Sequence, residues 1–371
     1  MRFSKPIMTN SEELIYFDSA TSVALHARLA QWFGEHARAL PWRETNNPYA
    51  IWLSEVILQQ TQVVQGMSYY HKFLDLFPTI ADLASASEDE VLRAWQGLGY
   101  YSRGRNLLKA AQMVMSEFGG VFPSTLEEVK RLPGVGPYTQ AAILSFAFNK
   151  PYAAVDGNVY RVLSRLCADA TPIDTPQGQK HFRALATELL SQEAPGLHNQ
   201  AMIELGALVC TPRKPDCLFC PVSVYCQSYA EGSMLQYPVK QGKIKVTNRY
   251  LSFFLIELPD ETILLERRPA GDIWQGLYQF PLLETLVDTS WEELSKSDEY
   301  QELMSSLTDV TFASVVPQEK QHRLTHRLLH AKLYRVKASS YHGDRYQCVP
   351  MSELDKYGLP ILLHKLIGST L

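Results

Sequence analysis

The feature that most constrains this chain is a run of cysteines. Four of the six lie between 210 and 226, as Cys210, Cys217, Cys220 and Cys226, in the pattern C-x6-C-x2-C-x5-C. Nothing marks the chain for export, because the start MRFSKPIMTNSEEL lacks the apolar stretch of a leader. A reducing, cytoplasmic setting is therefore expected, and disulfides are disfavoured there. Four thiolates on so short a loop can instead close around a metal centre. Tetrahedral zinc and a [4Fe–4S] cube both accept four cysteines. Two short C-x2-C pairs would favour zinc, whereas one short pair with wider outer gaps leans toward the larger cluster. Cys167 and Cys348 stand apart and read as buried structural thiols.

At roughly 100–200 residues per domain, 371 residues make two or three domains. A chain that is 46% hydrophobic and 20% charged has material for a core, which excludes disorder as its main state. The longest apolar runs, such as 250–258, fall short of the roughly 18 residues of a membrane span, so no membrane partner is expected. The net charge of −4 argues, taken alone, against nucleic acid. On a finer scale the charges segregate. Arg93–Lys109 holds four basic residues and Lys320–Lys337 six, neither with an acid, while Glu284–Glu302 holds seven acids and one lysine. The two basic stripes are candidate phosphate tracks, with plain solvated surface as the competing reading.

The first two-thirds reads helical. Leu25, Leu29, Trp32 and Phe33 repeat at helical spacing, as do Phe182, Leu185, Ala186 and Leu189, and Met202, Leu205 and Val209. Ser87-x-x-Glu90 and Ser124-x-x-Glu127 each resemble a capping box. Residues 1–230 are expected to form a helical domain and 231–248 a linker. Residues 249–371 are expected to form an α+β domain, with strands near 250–256, 262–265, 310–316 and 328–336. Between Ser124 and Phe148 the pattern is helix, tight turn, helix. Gly134-Val135-Gly136-Pro137 breaks the run, and Pro137 suits the first position of the second helix. Backbone N–H groups at Gly134, Val135 and Gly136, before a helix N-terminus, suit a DNA phosphate.

A hairpin followed about seventy residues later by the cysteine loop resembles the helix–hairpin–helix base-excision DNA glycosylases with an iron–sulfur cluster, the endonuclease III superfamily. The likeness covers residues 20–228 and extends to the adenine-excising branch. Pro41-Trp42-Arg43, the stretch from Trp52 to Val63, Gly97-Leu98-Gly99-Tyr100-Tyr101-Ser102-Arg103, and the stretch from Val155 to Val162 carry it. The resemblance implies a mainly α domain, built as a six-helix barrel with the hairpin and a cluster subdomain. It also implies a [4Fe–4S] cluster on the four cysteines. The partner would be double-stranded DNA with adenine opposite 8-oxoguanine or guanine, bound by a monomer.

The chemistry needs two carboxylates in different surroundings, one to protonate the leaving base and one to stabilise the sugar cation. Glu55 has apolar neighbours that would raise its pKa, and the resemblance makes it the acid toward the purine N7. Asp156 reads from its context as a helix N-cap, and by resemblance as the carboxylate that stabilises the cation. Related lyases carry a lysine just after the hairpin, where this chain has Tyr138, which implies a glycosylase that uses water. By resemblance Tyr138, Asn158 and Glu204 line the pocket. Gln60 and Tyr100 insert near the opposite base, and Thr61 and Leu98 support them. Arg103, Arg105 and Lys109 are candidates to follow the DNA backbone.

Glu266-Arg267-Arg268-Pro269, followed by the stretch from Ile273 to Pro281, resembles the Nudix-like C-terminal domain of the same branch. A Nudix hydrolase needs an R-E-x-x-E-E type box, and the acids that follow here, Glu284, Asp288, Glu292 and Glu293, lack that frame. A recognition role is expected instead. The family's Phe-Ser-His loop, which touches 8-oxoguanine, aligns with Leu324-Thr325-His326 and differs at two of three positions. The competing functional readings are a bifunctional glycosylase/lyase, a non-catalytic damage binder and a Nudix hydrolase with a DNA-binding appendage.

Overall fold

The computed structural model describes residues 7–8, 14–15, 17–242 and 245–368. The expected domains and linker lie outside the described residues at 1–6, 9–13, 16, 243–244 and 369–371. The chain divides into two compact units. The first comprises Met1–Tyr70, Phe77–Ala81 and Lys109–Gly242, and the second comprises His71–Leu76, Asp82–Leu108 and Lys243–Leu371. The division is therefore not collinear with the chain, since a central stretch groups with the C-terminal one.

Two short strands, β1 (Ile7–Met8) and β2 (Leu14–Ile15), pair near the start. Among the described residues twelve α-helices follow: α1 Ser19–His36, α2 Pro48–Leu58, α3 Val63–Leu76, α4 Ile80–Ser85, α5 Glu88–Ala94, α6 Ser102–Glu117, α7 Leu126–Val129, α8 Pro137–Phe148, α9 Gly157–Leu166, α10 Pro176–Glu188, α11 Pro195–Leu208 and α12 Gln227–Ala230. Their starts follow local chemistry. Asn47 caps α2 with Pro48 in its first turn, and Ser87 and Glu90 form a reciprocal capping box on α5. The second expected box is displaced by one residue. Thr125 and Glu128 make it, not Ser124 and Glu127, because the run Ser-Thr-Leu-Glu-Glu fits the motif in two registers.

In the first unit, α1, α9, α10 and α11 share a core that includes Leu25, Leu29, Val162, Leu163, Phe182 and Leu205. Burying each such side chain is worth about 1.5–3 kcal/mol. Helix α2 differs from these amphipathic helices, since every residue from Tyr49 to Ile57 is buried. A helix that is apolar all round belongs in an interior. It packs on α8, whose buried face is built largely of small residues, Thr139, Ala141, Ala142 and Ser145 among them. Asn199 on α11 then fixes the link from α8 to α9. Its amide donates to Ser145 Oγ at 2.9 Å and Tyr152 O at 2.8 Å, and its Oδ1 accepts from the Ala154 N–H at 3.1 Å.

The segment 231–242 packs on the first unit as a strap. Ile173 N–H donates to Val239 O at 3.0 Å, and Asp174 accepts from the Gln241 and Gly242 N–H groups at 2.9 and 2.7 Å. In the second unit, β3 (Thr247–Leu258), β4 (Thr262–Arg267), β5 (Tyr278–Gln279), β6 (Leu282–Thr285), β7 (Leu307–Thr308), β8 (Thr311–Arg323), β9 (Arg327–Lys337), β10 (Ser340–Tyr341) and β11 (Gln347–Pro350) accompany α13 (Trp291–Leu294), α14 (Asp298–Ser305) and α15 (Ile361–Ile367). The main sheet runs β11-β4-β3-β9-β8, with β5 on β4 and β6 on β3. It is mixed, because β3 and β9 are parallel while its other pairs are antiparallel. The central strand β3 is buried from Leu251 to Ile256, as expected for a strand covered on both faces.

The Asn199 hub yields a stability prediction. Asn199→Ala leaves a buried N–H, a hydroxyl and a carbonyl without these partners and should cost about 1–3 kcal/mol. The denaturant midpoint of the variant measures it, and an unchanged midpoint would contradict the assigned role.

Candidate active site

A cavity of about 790 Å³ opens in the first unit where α2, the hairpin, the start of α9 and one face of α11 meet. Glu55 and Ser54 reach it from α2, and Gln59, Gln60 and Thr61 from the turn after α2. Gly134, Gly136, Tyr138 and Thr139 reach it from the hairpin and α8, and Asp156, Gly157 and Asn158 from the start of α9. The structure thus brings together residues about a hundred positions apart in the chain.

The electrostatics separate the groups. Burial raises the Glu55 carboxyl to about 7; a hydrogen bond from the Tyr138 hydroxyl and the Arg43 charge oppose that shift, and Asp156 adds to it. Glu55 therefore keeps a proton near neutrality. Tyr138 is pushed far up by burial and by both carboxylates, so it remains a phenol and a donor. Asp156 is also raised by burial, against hydrogen bonds from Val159 and Asn158 that favour its charged form. It caps α9, accepting the N–H groups of Asn158 and Val159 at 2.9 and 2.8 Å, so the capping and site readings both hold. The Asn158 amide donates to Asp156 Oδ2 at 2.8 Å. Asn158 Oδ1 accepts from Arg161, whose guanidinium also donates to Cys210 O at 2.7 Å.

Glu204 does not line the cavity. It is fully buried behind it, where burial alone would raise its pKa. Hydrogen bonds from Arg38 and Arg43 outweigh that and hold it down to about 2. Arg38 Nη2 and Arg43 Nη2 lie 2.6 and 2.8 Å from Glu204 Oε2, and both arginines line the cavity instead. Gln200, Ile203 and Ala207 line it as well. Their i, i+3, i+7 spacing marks one helical face, beside the core face read from Met202, Leu205 and Val209. That spacing is the signal that could have found them.

In the hairpin, Val135 is buried and its N–H donates to Leu132 O at 3.2 Å, which removes it from the expected anion site. Gly134, with φ +77°, and Gly136 remain at the cavity edge. Gln60 and Tyr100 are non-glycine residues with φ of +57° and +46°. Such backbone costs about 1–3 kcal/mol and recurs at functional positions.

In the second unit Tyr100 is 47% exposed, and its hydroxyl meets that of Thr325. Leu98 is buried. Two members of the basic stripe, Arg103 and Arg105, turn inward, while Arg93 is exposed. Arg103 is buried beside Trp95 and Tyr100, and burial lowers it to about 10. Arg105 donates to Gln275 O at 2.5 Å, while Lys109 is exposed. Leu324 is half-buried, and Thr325 and His326 are exposed on the β8–β9 hairpin.

The four cysteines line one small cavity of about 30 Å³. Arg165 donates to Cys210 Sγ at 3.4 Å and to Thr211 O and Pro212 O at 2.8 and 2.9 Å, which fixes the loop. Burial pushes the Cys220 thiol up to about 12 and raises Cys217 and Cys226, so these thiols ionise only against a strongly cationic centre. Among the described residues no three His, Cys, Asp or Glu stand as a ready single-ion site. The donor set fits a four-thiolate centre.

Residues 53–188 match the family described as "HhH-GPD superfamily base excision DNA repair protein", and residues 252–369 match the NUDIX domain. A solved thermostable thymine-DNA glycosylase is 28% identical with a TM-score of 0.52, over 57% of this chain and 97% of that one. A trapped endonuclease III–DNA covalent intermediate has a TM-score of 0.50 at 22% identity, over 58% and 99% of the two chains, and shares the fold. The N-terminal region thus belongs to the helix–hairpin–helix class of base-excision repair proteins. The adenine DNA glycosylase of Buchnera aphidicola subsp. Baizongia pistaciae (strain Bp) is 36% identical over 266 residues, 70% of this chain and 74% of that protein. The rat adenine DNA glycosylase is 37% identical over 318 residues, and the match spans 62% of its length. The chain belongs to the adenine DNA glycosylase family.

The Glu55 environment sets a pH dependence. A buried carboxyl raised to about 7 binds its proton more tightly folded than unfolded, so its contribution to stability falls as pH rises from the ordinary carboxylate range through about 7. Glu55→Gln removes that term. The variant should gain in melting temperature relative to the native chain at pH 8 and not at pH 5, as read by thermal denaturation. An equal difference at both pH values would contradict a raised Glu55.

Proposed function

We propose that this protein hydrolyses the N-glycosidic bond of adenine mispaired with 8-oxoguanine or guanine in double-stranded DNA. The observation that carries the reading is the pair of carboxylates on one cavity, with Glu55 protonated near neutrality and held by Tyr138. An adenine extruded into the cavity receives the Glu55 proton on its ring nitrogen N7. The C1′–N9 bond then breaks and its electrons pass to the neutral departing purine. The Asp156 carboxylate faces the sugar cation, fixed by Asn158 and the α9 N–H groups. Water adds at C1′ and returns a proton to the carboxylate pair, leaving adenine and an abasic site. The residue after the hairpin is a phenol and not an amine, which favours hydrolysis over Schiff-base chemistry.

The amides of Gly134 and Gly136 at the α8 N-terminus are the proposed phosphate contact, since the dipole and open N–H groups there favour an anion. Residues 324–326 are the proposed reader of the base opposite adenine. Cys210, Cys217, Cys220 and Cys226 are the proposed ligands of a [4Fe–4S] cluster that ties the loop.

Duplexes carrying adenine opposite 8-oxoguanine, guanine or thymine test the activity, with strand scission scored before and after alkali. Alkali-dependent cleavage of the first two is expected. Scission without alkali would indicate a lyase, and no abasic product would refute the reading. Glu55→Gln should release no base while retaining duplex binding. The rate of the native chain should fall as pH rises through about 7. A broad visible absorbance lost on iron chelation is expected for the cluster, and a colourless, zinc-loaded protein would overturn it.

A further inference from the structure

We propose that Asp272 is a positioning residue for reading the base opposite adenine, because it locks the Leu324–His326 hairpin through Arg327. This rests on the reading of that hairpin given above. The carboxylate lies in the loop between β4 and β5, where three guanidinium groups converge on it. Asp272 Oδ1 accepts from Arg249 Nη1 at 2.5 Å, from Arg327 Nη1 at 3.2 Å and from the Ile273 N–H at 2.7 Å. Oδ2 accepts from Arg249 Nη2 at 2.8 Å and from Arg268 Nη2. Burial would raise this carboxyl, but the Arg249 hydrogen bonds and the neighbouring charges hold it well below the usual range.

The cluster has a fixed side and a hairpin side. Arg249 belongs to β3 and is also held by Glu284. Arg268 is buried, and its Nε donates to Ile273 O at 2.9 Å. Arg327 is the first residue of β9, directly after the hairpin, and its carbonyl accepts the Leu324 N–H at 2.8 Å. Beside it, His326 O accepts the N–H and hydroxyl of Thr247 at 3.0 and 3.2 Å. The hairpin base is thus held by backbone on one side and by the Arg327–Asp272 pair on the other. Thr325 and His326 lie exposed between these two anchors. The pair sets register and orientation, which is where a small displacement of contact atoms removes selectivity.

The cluster carries three guanidinium groups against Asp272 and Glu284. Asp272→Asn leaves like charges facing one another and lowers stability as well as selectivity. Arg327→Met is the cleaner variant, since it keeps the stem and leaves Asp272 bound to Arg249 and Arg268. The full chain is assayed for duplex affinity and for single-turnover base release with adenine opposite 8-oxoguanine and opposite guanine. In Arg327→Met the preference for 8-oxoguanine should fall at least about fivefold. The saturated rate on the guanine duplex and the melting temperature should stay near native values. Arg327→Lys, which preserves the single charged contact, should restore most of the preference. Native preference in Arg327→Met, or an equal loss on both duplexes, overturns the proposal. A native chain with no preference refutes the reading of the hairpin instead.

Discussion

The burial of helix α2 is the constraint on which the site depends. Its sequence is apolar on every side, so it folds into the interior and takes Glu55 with it. A lone carboxylate there would be strongly penalised, and the available relief is to hold a proton and a hydrogen bond from Tyr138. The small residues of α8 let the two helices meet closely enough for that bond. Asn199 fixes the following link so that Asp156 arrives at the same cavity. Packing thus raises the Glu55 carboxyl to about 7, so that it shares its proton at neutral pH, with a second carboxylate on the same cavity.

Glu204 shows how much partners matter at equal depth. Both are buried, and yet Glu204 is held ionised, because Arg38 and Arg43 donate hydrogen bonds directly to it, whereas Glu55 has the Tyr138 hydroxyl and the Arg43 charge without a hydrogen bond from it. The same accounting explains the chain's charge. Many of its arginines are spent inside: Arg38 and Arg43 on Glu204, Arg161 and Arg165 on the cysteine loop, Arg249 and Arg268 on Asp272. A basic residue bound in this way offers little to a phosphate. Exposed basic side chains remain in the first unit, among them Arg28, Lys109 and Lys180, beside the oriented backbone of the hairpin.

Much of this was legible in residue order. Alternation of apolar residues placed the helices, and Gly134 to Pro137 placed the turn between α7 and α8. The cysteine spacing marked the loop that the structure folds onto one cavity. The readings that failed share a cause, which is that one-dimensional signals do not say which way a side chain turns. Arg103 and Arg105 formed a stripe in sequence but point into protein. Glu204 has the identity of a pocket residue and the position of a support. Val135 carried an exposed-looking amide that the preceding turn uses. Cys348, read as buried, is exposed on β11.

The non-collinear division of the chain has a consequence for synthesis. Residues 82–108 leave the ribosome well before residues 243–371, yet they belong to the same unit. Glu88 and Asp89 wait for Arg267, and Arg105 for Gln275. The contacts that join the stretch between α4 and α6 to the C-terminal strands form only once those strands have been made. Maturation is therefore vectorial only in part. A nascent chain halted near residue 242 would leave Glu88, Asp89 and Arg105 without these partners.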